Sequence, residues 1–217
     1  MSGISNGAEL MPAPMKRLAR LLAVLACAAL IGCGDSTPEL PRLAAEDVVL
    51  AFGDSLTYGT GATEAQSYPQ VLAGMIGRQV VSAGVPGERT AGGLARLSGV
   101  LDSVQPSIML LCLGGNDMLR KVDPDETEAN LREMIEMAAA RGVAVVLIGV
   151  PKPALFGGAA GFYERIADDY AIAYEGDVLA DILRNNEYKS DPIHPNAKGY
   201  RKLAEALSEL LRSGGAI

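Results

Sequence analysis

The chain has 217 residues, enough for one domain with a real core and too few for two comfortable ones. Apolar residues make up 49% and aromatics only 5%, which predicts an aliphatic core. A net charge of −7 argues against nucleic acid as a partner, because phosphate binding needs clustered Lys and Arg.

The N-terminus reads as a targeting segment outside the fold. Lys16, Arg17 and Arg20 precede an apolar run at residues 21–31, too short to span a bilayer as a mature helix. The run closes on Leu30-Ile31-Gly32-Cys33, which resembles the lipobox of bacterial lipoproteins. In such proteins the cysteine is lipidated and becomes the mature N-terminus. The expected organisation is therefore a signal peptide over residues 1–33 ending at the lipid site Cys33, a Pro-containing tether over 34–46, and a domain over 47–217. The alternative is a plain secretory signal with an incidental cysteine. Both imply export, either to the periplasm or onto a membrane through a lipid anchor at Cys33. Met11 and Met15 are further possible starts, since residues 1–14 lack signal character. Of the remaining cysteines, Cys27 lies in the signal and Cys112 in an apolar run, where a buried, inert thiol is expected. One leftover cysteine makes no internal disulfide, and a single histidine with scattered cysteines gives no zinc spacing.

Residues 48–52 form a continuous apolar run, as expected of a strand buried on both faces. Residues 67–76 have helical spacing. A second short strand at 79–83 leads through a Gly-rich turn to a helix at 90–104, and a third strand follows at 108–113. Residues 124–141 give the clearest helix, with Pro124 near its start and Gly142 just past its end. A fourth strand at 144–149 precedes residues 155–163, a partly apolar loop that reads either as a wall for an acyl chain or as an ordinary linker. A helix at 161–169, a weak fifth strand at 172–175 and a closing helix at 196–211, with Asn196 placed to cap it, complete the pattern. This alternation predicts an α/β fold, a parallel sheet of about five strands between two helical layers.

In such sheets ligands bind beyond the carboxyl ends of the strands, so the residues just after each strand matter most. The first strand runs into Gly53-Asp54-Ser55-Leu56, where a tight turn presents the Ser55 hydroxyl and its N–H at the sheet edge. The second runs into Gly84-Val85-Pro86-Gly87-Glu88-Arg89-Thr90, where glycines let backbone N–H groups approach a ligand. The third runs into Gly114-Gly115-Asn116-Asp117, with an Asn amide as a further donor. His194, the one histidine, sits in Asp191-Pro192-Ile193-His194-Pro195-Asn196 before the last helix. A neutral imidazole is the usual base for a serine hydroxyl, and a carboxylate three residues away can hold its tautomer.

These four segments resemble the SGNH (GDSL) hydrolase family, in its branch of arylesterases, acyl-thioesterases and lysophospholipases. The resemblance covers about residues 47–211. It implies a three-layer α/β/α sandwich like that of flavodoxin. It also implies Ser55 as nucleophile, His194 as base and Asp191 as its orienting carboxylate. The backbone N–H groups of Ser55 and Gly87 and the side chain of Asn116 would form the oxyanion hole. Asp54 is expected to serve the turn, not the triad. Relatives usually carry Gly-Asp-Thr where this chain has Gly87-Glu88-Arg89-Thr90, and often Asn where it has Ser82; both departures touch the donor loop. The G-x-S-x-G elbow of α/β-hydrolases is absent, since Thr57 replaces its second glycine.

The implied activity is hydrolysis of carboxylic esters or thioesters of small to medium acyl chains, with lysophospholipids among the substrates considered. No cofactor or metal is called for, and the only partners expected are that small-molecule substrate and the membrane. With no second imidazole, the acidic limb of the rate profile is expected to report His194 alone. Two other readings use the same cleft: a carbohydrate O-deacetylase, which the lack of Trp disfavours, and a non-catalytic envelope module binding lipid or glycan.

Overall fold

The computed structural model describes residues 37–152 and 158–217. The signal peptide and lipid site expected over residues 1–33 lie outside them. The apolar runs form five strands, β1 (Val48–Gly53), β2 (Gln79–Gly84), β3 (Ile108–Cys112), β4 (Ala144–Ile148) and β5 (Ala173–Glu175). They make one sheet in the order β2-β1-β3-β4-β5 with every neighbouring pair parallel. β3 is buried throughout, and β1 and β4 are buried beyond their first residue, which explains why they read as unbroken apolar runs. The edge strand β2 exposes Gln79 and Ser82, so its apolar signal is shorter.

Eight α-helices occur among the described residues. α1 (Ser55–Tyr58) and α4 (Gly115–Leu119) are single turns at the sheet edge. α2 (Tyr68–Ile76), α7 (Val178–Arg184) and α8 (Ala197–Ser213) pack together as one layer. α3 (Thr90–Val104), α5 (Pro124–Ala139) and α6 (Gly161–Tyr170) pack together as the other. The three-layer sandwich expected from the alternation is the fold observed. Local chemistry sets the helix starts. The Asp123 carboxylate accepts from the Asp125 N–H at 3.0 Å ahead of Pro124. Asn196 Oδ1 accepts from the N–H groups of Lys198 and Gly199 at 3.0 and 3.1 Å, as a cap worth about 1 kcal/mol.

Cys112 is fully buried at the end of β3, and burial pushes its thiol well above the ordinary range, as an inert core residue requires. α7 has no counterpart in the sequence pattern, because its seven residues hold too few apolar repeats to show a period.

The segment expected as a tether differs from that expectation. Leu40 and Leu43 are buried, and their N–H groups donate to the carbonyls of Gly214 and Ala216 at 2.8 and 2.9 Å. Two leucines among prolines thus strap the start of the described chain to its C-terminal turn, and the folded unit begins before Asp47. We expect Leu43→Ala to lower stability by about 2–4 kcal/mol, read as an earlier urea midpoint. An unchanged midpoint would mean that this stretch is a free tether after all.

Candidate active site

The chain leaves β1 for β2 on one side and then crosses to β3 on the other, so strand order reverses at β1. A crevice opens there between the carboxyl ends of β1 and β3. The Gly53-Asp54-Ser55 turn and the Gly114-Gly115-Asn116 turn both empty into it. At Gly53 a β-carbon would collide with the Cys112 carbonyl of β3 and the Thr57 hydroxyl, so only glycine lets β1 turn this tightly.

Asp54 caps α1, its Oδ1 accepting from the Leu56 N–H at 3.0 Å. Ser55 is the first residue of that helix, so its own N–H has no acceptor within it. His194 Nε2 lies 3.0 Å from Ser55 Oγ, and His194 Nδ1 lies 2.7 Å from Asp191 Oδ2. With Nδ1–H donating to Asp191, Nε2 keeps its lone pair for the Ser55 O–H. Asp191 Oδ1 accepts from the N–H groups of Ile193 and His194, both at 2.9 Å. Burial favours the neutral carboxyl of Asp191, but the hydrogen bonds from the His194 ring and the Ile193 N–H outweigh it and hold Asp191 below the usual carboxylate range.

Gly87 closes the loop after β2 with a φ of 78°, a conformation that favours glycine. Its N–H has no acceptor among the described residues. Asn116 Nδ2 donates to Asp54 Oδ2 at 3.0 Å, which leaves its second amide hydrogen unengaged by that bond. The crevice has a volume of about 560 Å³, and Ser55, Gly87, Asn116 and His194 line it together with the apolar Leu119, Val150 and Ile193. All the residues expected at the site except Asp191 therefore line one cavity, and Asp191 reaches it through His194.

Several supporting residues were not assigned a role by the sequence. Arg96 bonds the Glu88 carboxylate through Nε and Nη2, and Nη2 also donates to the carbonyls of Ala83 and Gly53 at 2.9 and 3.2 Å. Its guanidinium lies 4.0 Å from the centre of the Phe52 ring. It thereby ties the ends of β1 and β2 to the loop that carries Gly87. The unusual Glu88 is the partner of this clamp, and the substituted Ser82 donates to the Thr57 carbonyl at 3.2 Å. Asp117 accepts from the N–H and hydroxyl of Thr90 at 2.9 and 2.7 Å, joining the Asn116 turn to the start of α3. The Gly-Gly-Asn-Asp string contained this signal, since a buried Asp beside a donor Asn needs partners of its own. Of the loop at 155–163, residues 155–157 lie outside the described set. Phe162 and Tyr163 are buried in the core, Tyr163 donating to the Leu113 carbonyl at 2.7 Å, so they form no part of an acyl wall.

Residues 51–202 match the GDSL-like lipase/acylhydrolase family. The chain belongs to that family. It is 29% identical over 179 residues to the thioesterase 1/protease 1/lysophospholipase L1 of Escherichia coli strain K12, covering 79% of this chain and 86% of that protein. It is 34% identical to the esterase TesA of Pseudomonas aeruginosa over 123 residues, 54% of this chain and 61% of that one. Among solved structures it superposes on AlinE4, an SGNH-hydrolase family esterase, with a TM-score of 0.62 and 31% identity over 79% of this chain and 97% of that one. As a member of the GDSL-like family the chain is a serine hydrolase acting on ester bonds. Among its described residues no helix is long and apolar enough to cross a membrane.

Asp54 makes this site pH-sensitive. Burial pushes its carboxyl up to about 6, against the opposing hydrogen bonds from the Leu56 N–H and Asn116. Because the folded state binds this proton more tightly than the unfolded chain does, the charged carboxylate costs about 3 kcal/mol at neutral pH. That cost fades as pH falls through 6 toward 4. Asn keeps the acceptor for Leu56 but carries no charge. Relative to wild type, Asp54→Asn should therefore be most stable above pH 7, with its advantage shrinking steadily down to pH 4.5. A stability difference independent of pH would show that Asp54 stays ionised throughout.

Proposed function

We propose that Ser55, His194 and Asp191 form the catalytic triad of this esterase. The observation that carries the reading is the unbroken chain of hydrogen bonds from Asp191 through both ring nitrogens of His194 to Ser55 Oγ. Ser55 Oγ attacks the carbonyl carbon of an ester or thioester while His194 Nε2 takes its proton. Negative charge then gathers on the former carbonyl oxygen. The N–H groups of Ser55 and Gly87 and the unengaged amide hydrogen of Asn116 meet it, each contributing on the order of 3 kcal/mol. His194 returns the proton to the leaving alkoxide or thiolate, which departs as alcohol or thiol. Water then attacks the acyl-Ser55 ester with His194 again as base, and the carboxylic acid and free Ser55 are restored. Asp191 orients the ring and stabilises the imidazolium throughout.

The substrate proposed is an ester or thioester of a small to medium acyl chain. The apolar wall of Leu119, Val150 and Ile193 supports this, as do the thioesterase and esterase names of the relatives. The proposal extends to the N-terminus, where the basic residues and apolar run before Cys33 support export with a lipid anchor. Fractionation of cells tests that part: the protein should sediment with membranes, and Cys33→Ser should release it. Equal release of both proteins would mean a plain secretory signal.

Hydrolysis of p-nitrophenyl butyrate tests the chemistry. Ser55→Ala should abolish turnover, and Asn116→Ala should lower kcat by roughly a hundredfold with KM little changed. A loss confined to KM would make Asn116 a substrate-positioning residue only. Activity should be low in acid, where imidazole is protonated, and rise with pH. Burial pushes the Asp54 carboxyl up to about 6, so Asp54 also titrates on the acidic side and the limb does not report the base alone.

A further inference from the structure

Gly87 lies inside a β-turn whose two ends are both tied to Gly53. The turn runs from Val85 to Glu88 and is closed by the Glu88 N–H, which donates to the Val85 carbonyl at 3.1 Å. Pro86 in its second position and Gly87 in its third, with a φ of 78°, fit a type II turn. At the entrance the Val85 N–H donates to the Gly53 carbonyl at 3.0 Å. At the exit Arg96 grips the Glu88 carboxylate, its Nη2 donating at 2.6 Å to Glu88 Oε2 and at 3.2 Å to that same Gly53 carbonyl. Gly53 stands two residues before Ser55. The two backbone N–H groups assigned to the oxyanion hole are thus both referenced to one carbonyl oxygen.

The form of the turn decides where the Gly87 N–H points. Types I and II differ by about 150° or more in ψ of the second residue and φ of the third, the torsions on either side of one peptide group. Here that peptide joins Pro86 to Gly87 and carries the donor. Flipped, it would turn the Pro86 carbonyl to the side that the N–H now faces. Val85, Pro86 and Gly87 are all exposed, so packing does little to oppose the flip. The exposed Arg120 reaches the Gly87 carbonyl only at 3.4 Å. The firm hold is at Glu88, whose side chain is 9% exposed. Arg96 Nε adds bonds of 2.8 and 3.0 Å to its two carboxylate oxygens, and the guanidinium rests on the Phe52 ring. A planar forked donor fixes the orientation of a carboxylate as well as its distance.

Resting on the triad and oxyanion hole proposed above, we propose that Glu88 and Arg96 are positioning residues for the esterase reaction. Their ion pair holds the Val85–Glu88 turn in the form that aims the Gly87 N–H at the developing oxyanion. Neither residue lines the crevice, so neither meets substrate. Their effect falls on the transition state, where charge has gathered on the oxygen, and not on binding of a neutral ester. A pair that served stability alone would leave the rate constants of the folded enzyme unchanged.

The test compares p-nitrophenyl butyrate with its thionoester, in which sulfur replaces the carbonyl oxygen. Sulfur is larger and accepts hydrogen bonds weakly, so a hole built for oxygen penalises it, and the penalty reports how well the donors are placed. Glu88→Gln keeps the size of the side chain and one acceptor oxygen but loses the charge. It should lower kcat for the oxygen ester about tenfold with little change in KM, and narrow the preference for oxygen over sulfur by about fivefold. Glu88→Asp keeps the carboxylate and should restore most of both. Arg96→Lys keeps the cation but loses the fork and should repeat the loss; it carries the test if the urea midpoint shows Glu88→Gln to be unfolded. An unchanged kcat, a loss carried by KM, or a fall that strikes both esters alike overturns the proposal. A wild type that cleaves neither ester overturns the esterase assignment itself, whereas an active wild type whose variants keep its kcat removes only the role of the clamp.

Discussion

Asp54 accepts hydrogen bonds from the Leu56 N–H and from the Asn116 amide, and through them one buried carboxylate joins the two turns from which the site is built. Without an acceptor at Asp54, nothing would fix which way round the Asn116 amide sits, since its oxygen and nitrogen ends have the same size and shape. The arrangement keeps a charge in a place where burial opposes it, pushing that carboxyl up to about 6. Stability is surrendered locally while the Asn116 amide is held in one orientation, and on the proposed mechanism that fixes a donor before substrate arrives.

The scaffold makes this affordable and gives it direction. β1, β3 and β4 are stiff, buried and parallel, and the reversal of strand order at β1 parts the loops that follow. Arg96 then ties the donor loop to the ends of β1 and β2, while Asp117 ties the Asn116 turn to α3. His194 comes from the far end of the chain, on a loop closed by the Lys189–Pro195 bridge and by the cap at Asn196.

Much of this was legible in the residue order. Buried strands announce themselves as unbroken apolar runs, and the site is announced by the short strings that hold Gly53, Gly87 and Asn116 beyond the strand ends and His194 before the last helix. Ser55 with a lone His194 three residues after Asp191 left no other base to choose. The rest depended on contacts between residues far apart in sequence. The Arg96–Glu88 clamp, the Asp117–Thr90 bond and the burial of Leu40 and Leu43 have no local period or motif to betray them. α7 is too short for its apolar spacing to rise above that of a loop.

The central claim is that Ser55 is a nucleophile activated by His194, and a covalent phosphonate probe tests it most directly. A fluorophosphonate mimics the attacked carbonyl and traps the activated serine as a stable adduct. Peptide mass spectrometry of the treated protein should find that adduct on Ser55 alone, forming slowly in acid and faster as the imidazole loses its proton. An adduct on any other residue, or labelling of Ser55 at a rate indifferent to pH and to replacement of His194, would contradict the account.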